Sequence, residues 1–284
     1  MSWRVAVRHV SGYRYGSDVH ASYNEARMTP LTTARQTVLD ADLSVEPAAT
    51  LFRYTDFWAT LVHAFDIHEP HRALSVSSTS VVETGTAEGA SEEASWDELR
   101  GDPLRDRFAE LLTPTHYVPL DETVGGPAGD MLVEMAGERS PAAAVALASE
   151  WVQERLSYVP GATQVSTSAS EAFASGKGVC QDFAHLTLAL LRMSGIPCRY
   201  VSGYLHPRDD ARIGEPVAGA SHAWVEAWTG DWWALDPTNG RPVGERHVTV
   251  ARGRDYADVS PLRGVYQGGP AEELEVVVEV TRLA

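Results

Sequence analysis

A chain of 284 residues, 44% of them hydrophobic, is long enough for one large domain or two ordinary ones with proper cores. Its 39 acidic and 23 basic residues leave a formal charge of -16, which disfavours nucleic acid and anionic membrane as partners, because phosphate contacts need a basic surface. The first residues, Met-Ser-Trp-Arg-Val-Ala-Val-Arg, lack the apolar centre of a signal peptide, and no run approaches the roughly 18 apolar residues of a spanning helix, so the expected compartment is the cytoplasm.

Residues 3–16 alternate with the period of a strand, Val5 and Val7 on one side and Arg4, Ala6 and Arg8 on the other. Further strand-like runs cover 36–46, 51–68 and 73–83, which predicts a β-rich N-terminal domain over 1–85. Glu83 to Glu98 then holds six acidic residues and no basic one, the composition of a solvated connection. With a short helix expected at 103–112 and an irregular, Pro- and Gly-rich stretch at 113–127, residues 86–135 read as a linking region. A core domain is expected over 136–271. Ser140 and Pro141 cap a helix that runs to Leu156, and Ser168 with Glu171 forms a capping box for a shorter one that Gly176 ends. Tyr158 to Thr163 lies between them. The last alternating run, Leu274 to Leu283, is expected to return to the N-terminal sheet, so residues 272–284 join that domain.

Residues 176–198 carry the first chemistry. A glycine-rich turn delivers Cys180 to the start of a helix whose Phe183, Leu186, Leu190 and Met193 recur at helical spacing, with Leu188 and Leu191 apolar on a second side and Gly195 and Pro197 as a stop. Four unpaired backbone N–H groups and the positive end of the macrodipole meet at such a start and favour a thiolate. The plain alternative is a small buried hydrophobe. Cys198, the other cysteine, sits at the far end, about 27 Å away at 1.5 Å per residue. That is beyond the roughly 7 Å Cα limit for a disulfide, and a reducing compartment suits a catalytic thiol.

Residues 198–206 should be a strand and 207–220 a mobile loop bordering substrate. Two aromatic-rich alternating runs, 221–228 and 232–238, flank Thr229, Gly230 and Asp231 as a hairpin. If the loop is those three residues, Trp228 faces Trp232, and His222 and Asp236 become diagonal neighbours on one face; a two-residue loop would separate them. A nucleophilic cysteine needs a histidine to take its proton, and that histidine needs an acceptor to fix its tautomer. Cys180, His222 and Asp236 fill those roles. His185, about 140° around the helix from Cys180, reads as a buried structural partner, and His206 and His247 have no carboxylate pattern beside them. The histidines are scattered and no CxxC or calcium-loop spacing occurs, so neither a metal nor another cofactor is expected.

The segments Gly178-Val179-Cys180-Gln181-Asp182-Phe183-Ala184-His185, Ile196-Pro197-Cys198-Arg199-Tyr200-Val201-Ser202-Gly203-Tyr204, Ser221-His222-Ala223-Trp224 and Asp236-Pro237-Thr238-Asn239 occur in an order that resembles the transglutaminase-like superfamily. Tyr13-Arg14-Tyr15, Tyr23 to Pro30 and Asp56-Phe57-Trp58 look like the β domain that precedes the core in bacterial members. The resemblance implies an α+β fold with a papain-like core, cysteine on a buried helix and histidine and aspartate on antiparallel strands, behind an N-terminal β-rich domain. It implies cysteine-dependent acyl transfer on an amide of a protein or peptide. The acceptor is water in a peptidase or amidase and an amine in a transglutaminase. Hydrolysis is the leading expectation, since water needs no second binding site. A non-catalytic peptide-binding module with the same fold is the competing class. The Cys180 N–H is the first oxyanion donor to consider and Tyr158 or Gln164 the second; Gln181, Trp224 and Asn239 complete the cleft candidates, with the hairpin tryptophans shaping an apolar acyl slot. Lys177 is the sole lysine, which codon bias explains, or which spares a crosslinking enzyme from offering itself amines.

Overall fold

The computed structural model describes residues 2–86, 93–137 and 140–284; residues 87–92 of the expected acidic connection lie outside that description. The first strand, β1 (Trp3–Ala26), runs well past the predicted stretch, because its alternating buried face continues through Tyr15, Val19 and Ser22. It is followed by β2 (Gln36–Glu46), β3 (Phe52–Thr55), β4 (Leu61–Ile67) and β5 (His71–Thr84). The single run expected at 51–68 is broken in two. Asp56 Oδ1 accepts the N–H groups of Trp58 and Thr60, both at 3.0 Å, and Ala59 adopts φ 62°, a turn that folds β3 back onto β4.

After β5 the chain forms the helical elements α1 (Trp96–Arg100), α2 (Asp102–Arg107), α3 (Ala109–Leu112), α4 (Glu122–Gly137) and α5 (Pro141–Arg155). Helix α4 occupies part of the stretch expected to be irregular on account of Gly125, Gly126 and Pro127. Val124, Ala128, Met131 and Met135 are buried at helical spacing, and a Cβ on Gly125 would stand 3.7 Å from Met193, so close packing outweighs the poor local propensity. Ser140 caps α5 through the Ala143 N–H.

The core continues through β6 (Ser157–Tyr158), α6 (Ala169–Ser175), β7 (Lys177–Gly178), α7 (Cys180–Met193), β8 (Cys198–Leu205), β9 (Pro216–Ala218), β10 (Ala220–Trp228), β11 (Trp232–Asp236), β12 (Arg241–Pro242) and β13 (His247–Gly253). The chain ends in α8 (Tyr256–Val259), β14 (Leu262–Gly268) and β15 (Ala271–Arg282). Strands β12, β11, β10, β8 and β13 form a sheet in that order, and β2, β5, β1, β15 and β9 form the path of an eight-stranded one, with β14 and β4 also on β1. Strand β15 pairs with β1 from Arg282 opposite Val5 to Ala271 opposite Tyr15.

Helix α7 is the axis of the core. Every residue from Gln181 to Arg192 is buried, and each of Leu186, Leu188, Leu190 and Leu191 contributes about 1.5–3 kcal/mol by leaving water. It stops at a left-handed Gly195, φ 80°, where the Ile196 N–H returns to the Leu191 carbonyl and the Gly195 N–H to that of Arg192. One apolar cluster joins α7 and α5 to Trp3, Val5, Val7, Val82, Val278 and Val280, so both sheets share an interior. No described helix is long and apolar enough to cross a membrane.

Candidate active site

The start of α7 is held by its own first turn. Asp182 Oδ2 accepts the Val179 N–H at 2.7 Å and the Thr163 hydroxyl at 2.6 Å, and Gln181 Nε2 donates to the Val165 carbonyl at 3.0 Å. Together they fasten the 161–167 loop across the helix start. Gly178 is required there, since a Cβ would come within 2.6 Å of Asp182 Cβ. Burial pushes the Asp182 carboxyl up, against the pull of those two hydrogen bonds. Cys180, at the first helical position, is half-buried and free of any disulfide.

His222 is presented toward Cys180 from β10. The hairpin loop is the three residues Thr229 to Asp231: Trp228 faces Trp232 and Val225 faces Leu235, which leaves His222 diagonal to Asp236. His222 Nε2 and Asp236 Oδ2 are 2.8 Å apart. That commits Nε2 and leaves Nδ1 as the ring nitrogen available to Cys180, whose side chain is close enough to raise the His222 pKa. Burial alone would lower the His222 pKa, but the bond to Asp236, the nearby Cys180 and the charge of Asp236 raise it to about 9. Asp236, fully buried, is held far below the usual carboxylate range: burial opposes this, and the hydrogen bonds from His222, His247 and Asn239 and the His222 charge overcome it.

His247 is the site residue that sequence reasoning passed over. Its Nε2 lies 3.2 Å from the same Asp236 Oδ2. Its Nδ1 accepts the Gly244 N–H at 3.2 Å, so the proton of the neutral ring sits on Nε2 and is donated to Asp236. Burial lowers its pKa and keeps it neutral, against the pull of Asp236. Asn239 also turns to Asp236, its Nδ2 donating to Oδ2 at 2.6 Å, while the Thr238 and Asn239 N–H groups bond Oδ1 at 3.0 and 3.2 Å. We expect His247→Leu to lower kcat by about 10- to 100-fold with KM little changed, the effect of deleting one donor to a buried charge. His247→Gln, which keeps an N–H there, should recover most of the loss; steady-state kinetics giving equal values for the two variants would contradict this role.

The cleft beside His222 has a volume of about 410 Å³ and is lined by Tyr158, Leu205, Pro207, Ala218, Gly219, Ala220, Thr238 and Asn239. Tyr158 and Asn239 therefore reach it; the other cleft candidates do not. Gln164 is exposed outside it, and Gln181 is spent on Val165. Trp224 is fully buried, with the rings of His222 and His247 beside it at 6.2 and 5.3 Å. The other hairpin tryptophans also leave the slot. Trp228 packs on Phe108, and Trp232 packs on Phe108 and under the Arg199 guanidinium. Trp232 and Trp233 line a second cavity of about 350 Å³, together with His247 and the Arg199–Glu226–Arg252 ion cluster.

Residues 207–220 are tied down at several points. β9 lies on β15, the Gly214 N–H bonds the Arg282 carbonyl at 2.8 Å, and Asp209 pairs with Arg241 and Arg246 at 3.1 and 3.0 Å. His185 is fully buried between Tyr117 and Tyr200 and accepts the Tyr256 N–H; burial, with Arg192 nearby, drops its pKa to about 3. For a metal, His222, Asp236 and His247 each present one ligand atom within 4.8 Å of the others, so two of the scattered histidines do converge. Their N···O separations of 2.8 and 3.2 Å are those of hydrogen bonds, and a cation would have to displace both protons.

The two thiols differ sharply. Cys198 is fully buried and burial raises its pKa to about 11, whereas Cys180 is part-exposed beside His222. Iodoacetamide should therefore label Cys180 well before Cys198, as read by peptide mass mapping; equal rates would contradict an activated Cys180.

Residues 130–237 match the transglutaminase-like superfamily and residues 5–83 the bacterial transglutaminase-like N-terminal region. An uncharacterized protein of Mycobacterium leprae is 48% identical over 282 residues, covering 99% of this chain and 100% of the relative. A protein-glutamine gamma-glutamyltransferase of Pseudomonas aeruginosa is 30% identical over 182 residues, 58% of this chain and 26% of that one. The solved structure of a candidate cysteine protease from Cytophaga hutchinsonii covers 100% of this chain and 93% of its own, with a TM-score of 0.76 at 24% identity, a likeness of fold. With both its core and its N-terminal region matched, the chain belongs to the transglutaminase-like superfamily.

Proposed function

We propose that this protein is a cysteine-dependent acyl-transfer enzyme acting on amide bonds of proteins or peptides, with Cys180, His222 and Asp236 as its triad. One observation carries the reading: His222 is hydrogen-bonded to buried Asp236 through Nε2 at 2.8 Å, and Cys180, at the start of α7, is close enough to raise the His222 pKa. His222 takes the Cys180 proton, and the sulfur attacks the amide carbonyl carbon. The negative oxygen that forms is met by the Cys180 N–H, with the Tyr158 hydroxyl as the second donor in the cleft. As the C–N bond breaks, His222 gives its proton to the departing amine and a thioester remains. The acceptor then attacks the thioester, His222 takes the acceptor's proton, and the sulfur leaves with its electron pair.

With water as acceptor the enzyme is a peptidase or amidase, and this is the first reading because it needs no second site. An amine acceptor is the second reading, favoured by the likeness to the Pseudomonas protein-glutamine gamma-glutamyltransferase. Mass spectrometry of the purified protein with a pool of glutamine-containing peptides, with and without a labelled primary amine, separates them. Cleavage or deamidation alone identifies a hydrolase; amine incorporation identifies a transglutaminase. Products that persist unchanged without Cys180 would sink both.

A further inference from the structure

Strand β9 is the outermost strand of the eight-stranded sheet and has one neighbour in it, β15. Pro216, Val217 and Ala218 stand opposite Thr281, Val280 and Glu279, and the Gly219 N–H bonds the Val278 carbonyl at 2.9 Å. In an antiparallel ladder alternate residues turn both backbone groups to the neighbour. Gly219 and Val217 are turned toward β15, so Ala218 directs its N–H and C=O the other way, where no strand pairs with β9 among the described residues. Ala218 is exposed and lines the same cleft as His222.

A free sheet edge is a template for another strand, and proteins usually blunt such edges. Pro216, which lacks an N–H, blunts the outer part of β9 and leaves Ala218 as the unit that can both donate and accept. The rest of the cleft offers Leu205, Pro207, Ala220 and Tyr158, with no carboxylate, ammonium or guanidinium among its described lining residues. Such a surface recognises backbone and apolar side chains, with little to select a charged group.

We infer that the free edge of β9 is a substrate subsite: an extended polypeptide segment pairs with the Ala218 backbone and runs on past His222 to Cys180. This inference rests on the acyl-transfer reading and adds that its substrate is held as an extended strand, which excludes peptides too short to reach Ala218 as the preferred class. From Ala218 to His222 is four residues, about 13 Å at the rise of a strand. The pairing point therefore falls about four substrate residues from the reacting amide. The N-terminal domain takes part through β15, which holds β9 in place.

The test uses the full-length Cys180→Ala protein, which binds without turning over, and fluorescence anisotropy. The probes are fluorescein-labelled peptides built outward from a central glutamine, one alanine or serine at a time on either side. Affinity should step up by about tenfold, or 1.4 kcal/mol, when the extension on one side reaches Ala218. Backbone N-methylation of the residue at that position should remove the step, and Ala218→Pro should remove it too. The N-methylated peptides keep the test sound if the proline variant folds poorly. Affinity independent of length on both sides, or a step insensitive to N-methylation, would overturn the inference. The two proposals also fail separately. A length step in binding without Cys180-dependent turnover by the wild type would end the acyl-transfer reading and leave the edge as a peptide-binding site. Turnover of the shortest peptide with no length step would do the reverse.

Discussion

Cys180→Ala should lose essentially all acyl-transfer activity, on the order of 10⁴-fold or more, because without the sulfur no thioester forms and the remaining groups act on water alone. The fold should be kept. Alanine is the best helix former, the position is half-buried at the first residue of α7, and the helix is anchored by Asp182 and by its leucine face, which the substitution does not touch. Product assays beside a thermal melt give both answers at once. An inactive variant that melts like the wild type is the expected outcome; an active one would remove Cys180 from the chemistry.

The second large effect is expected at Asp236. Five donors converge on this carboxylate: the Nε2 groups of His222 and His247, Nδ2 of Asn239, and the N–H groups of Thr238 and Asn239. An asparagine offers one oxygen and an NH₂ that opposes some of those donors, which favours the wrong tautomer of His222. A loss of about 10³–10⁴-fold in kcat/KM should follow. The pH profile carries a sharper signature. His222 must be protonated to release the amine, and its pKa is raised to about 9, so wild-type activity should persist below pH 9 and fall as pH rises through it. In Asp236→Asn the raising influence of that charge is gone, Cys180 still raises the pKa and burial still lowers it, so the alkaline limb should move down from about 9. A limb unmoved from the wild-type position would show that Asp236 does not set the histidine.

Much of this site could be read from the chain because its parts are local. The apolar spacing from Phe183 to Met193, with Gly195 as stop, defines α7, and a three-residue loop is enough to set the hairpin register that brings His222 to Asp236. What stayed hidden depends on sheet order. His247 lies on β13, three places from β11 in the sheet, and its bond to Asp236 is not local in sequence. Trp224 shares the His222 face of β10 but is fully buried beside the His222 and His247 rings. Likewise β9 looks like loop sequence, rich in Pro, Gly and Asp around it, and becomes a strand only because β15 supplies a partner. Helix α4 forms over Gly125, Gly126 and Pro127 because it buries Val124, Ala128, Met131 and Met135 at helical spacing.

The central claim is that Cys180 carries the acyl group. The most direct measurement is intact-protein mass spectrometry after acid quench of the enzyme with a glutamine-containing peptide. An adduct of the acyl mass, mapped to Cys180, released by hydroxylamine and missing from Cys180→Ala, is the result predicted. Turnover with no such adduct, continuing undiminished in Cys180→Ala, would contradict it.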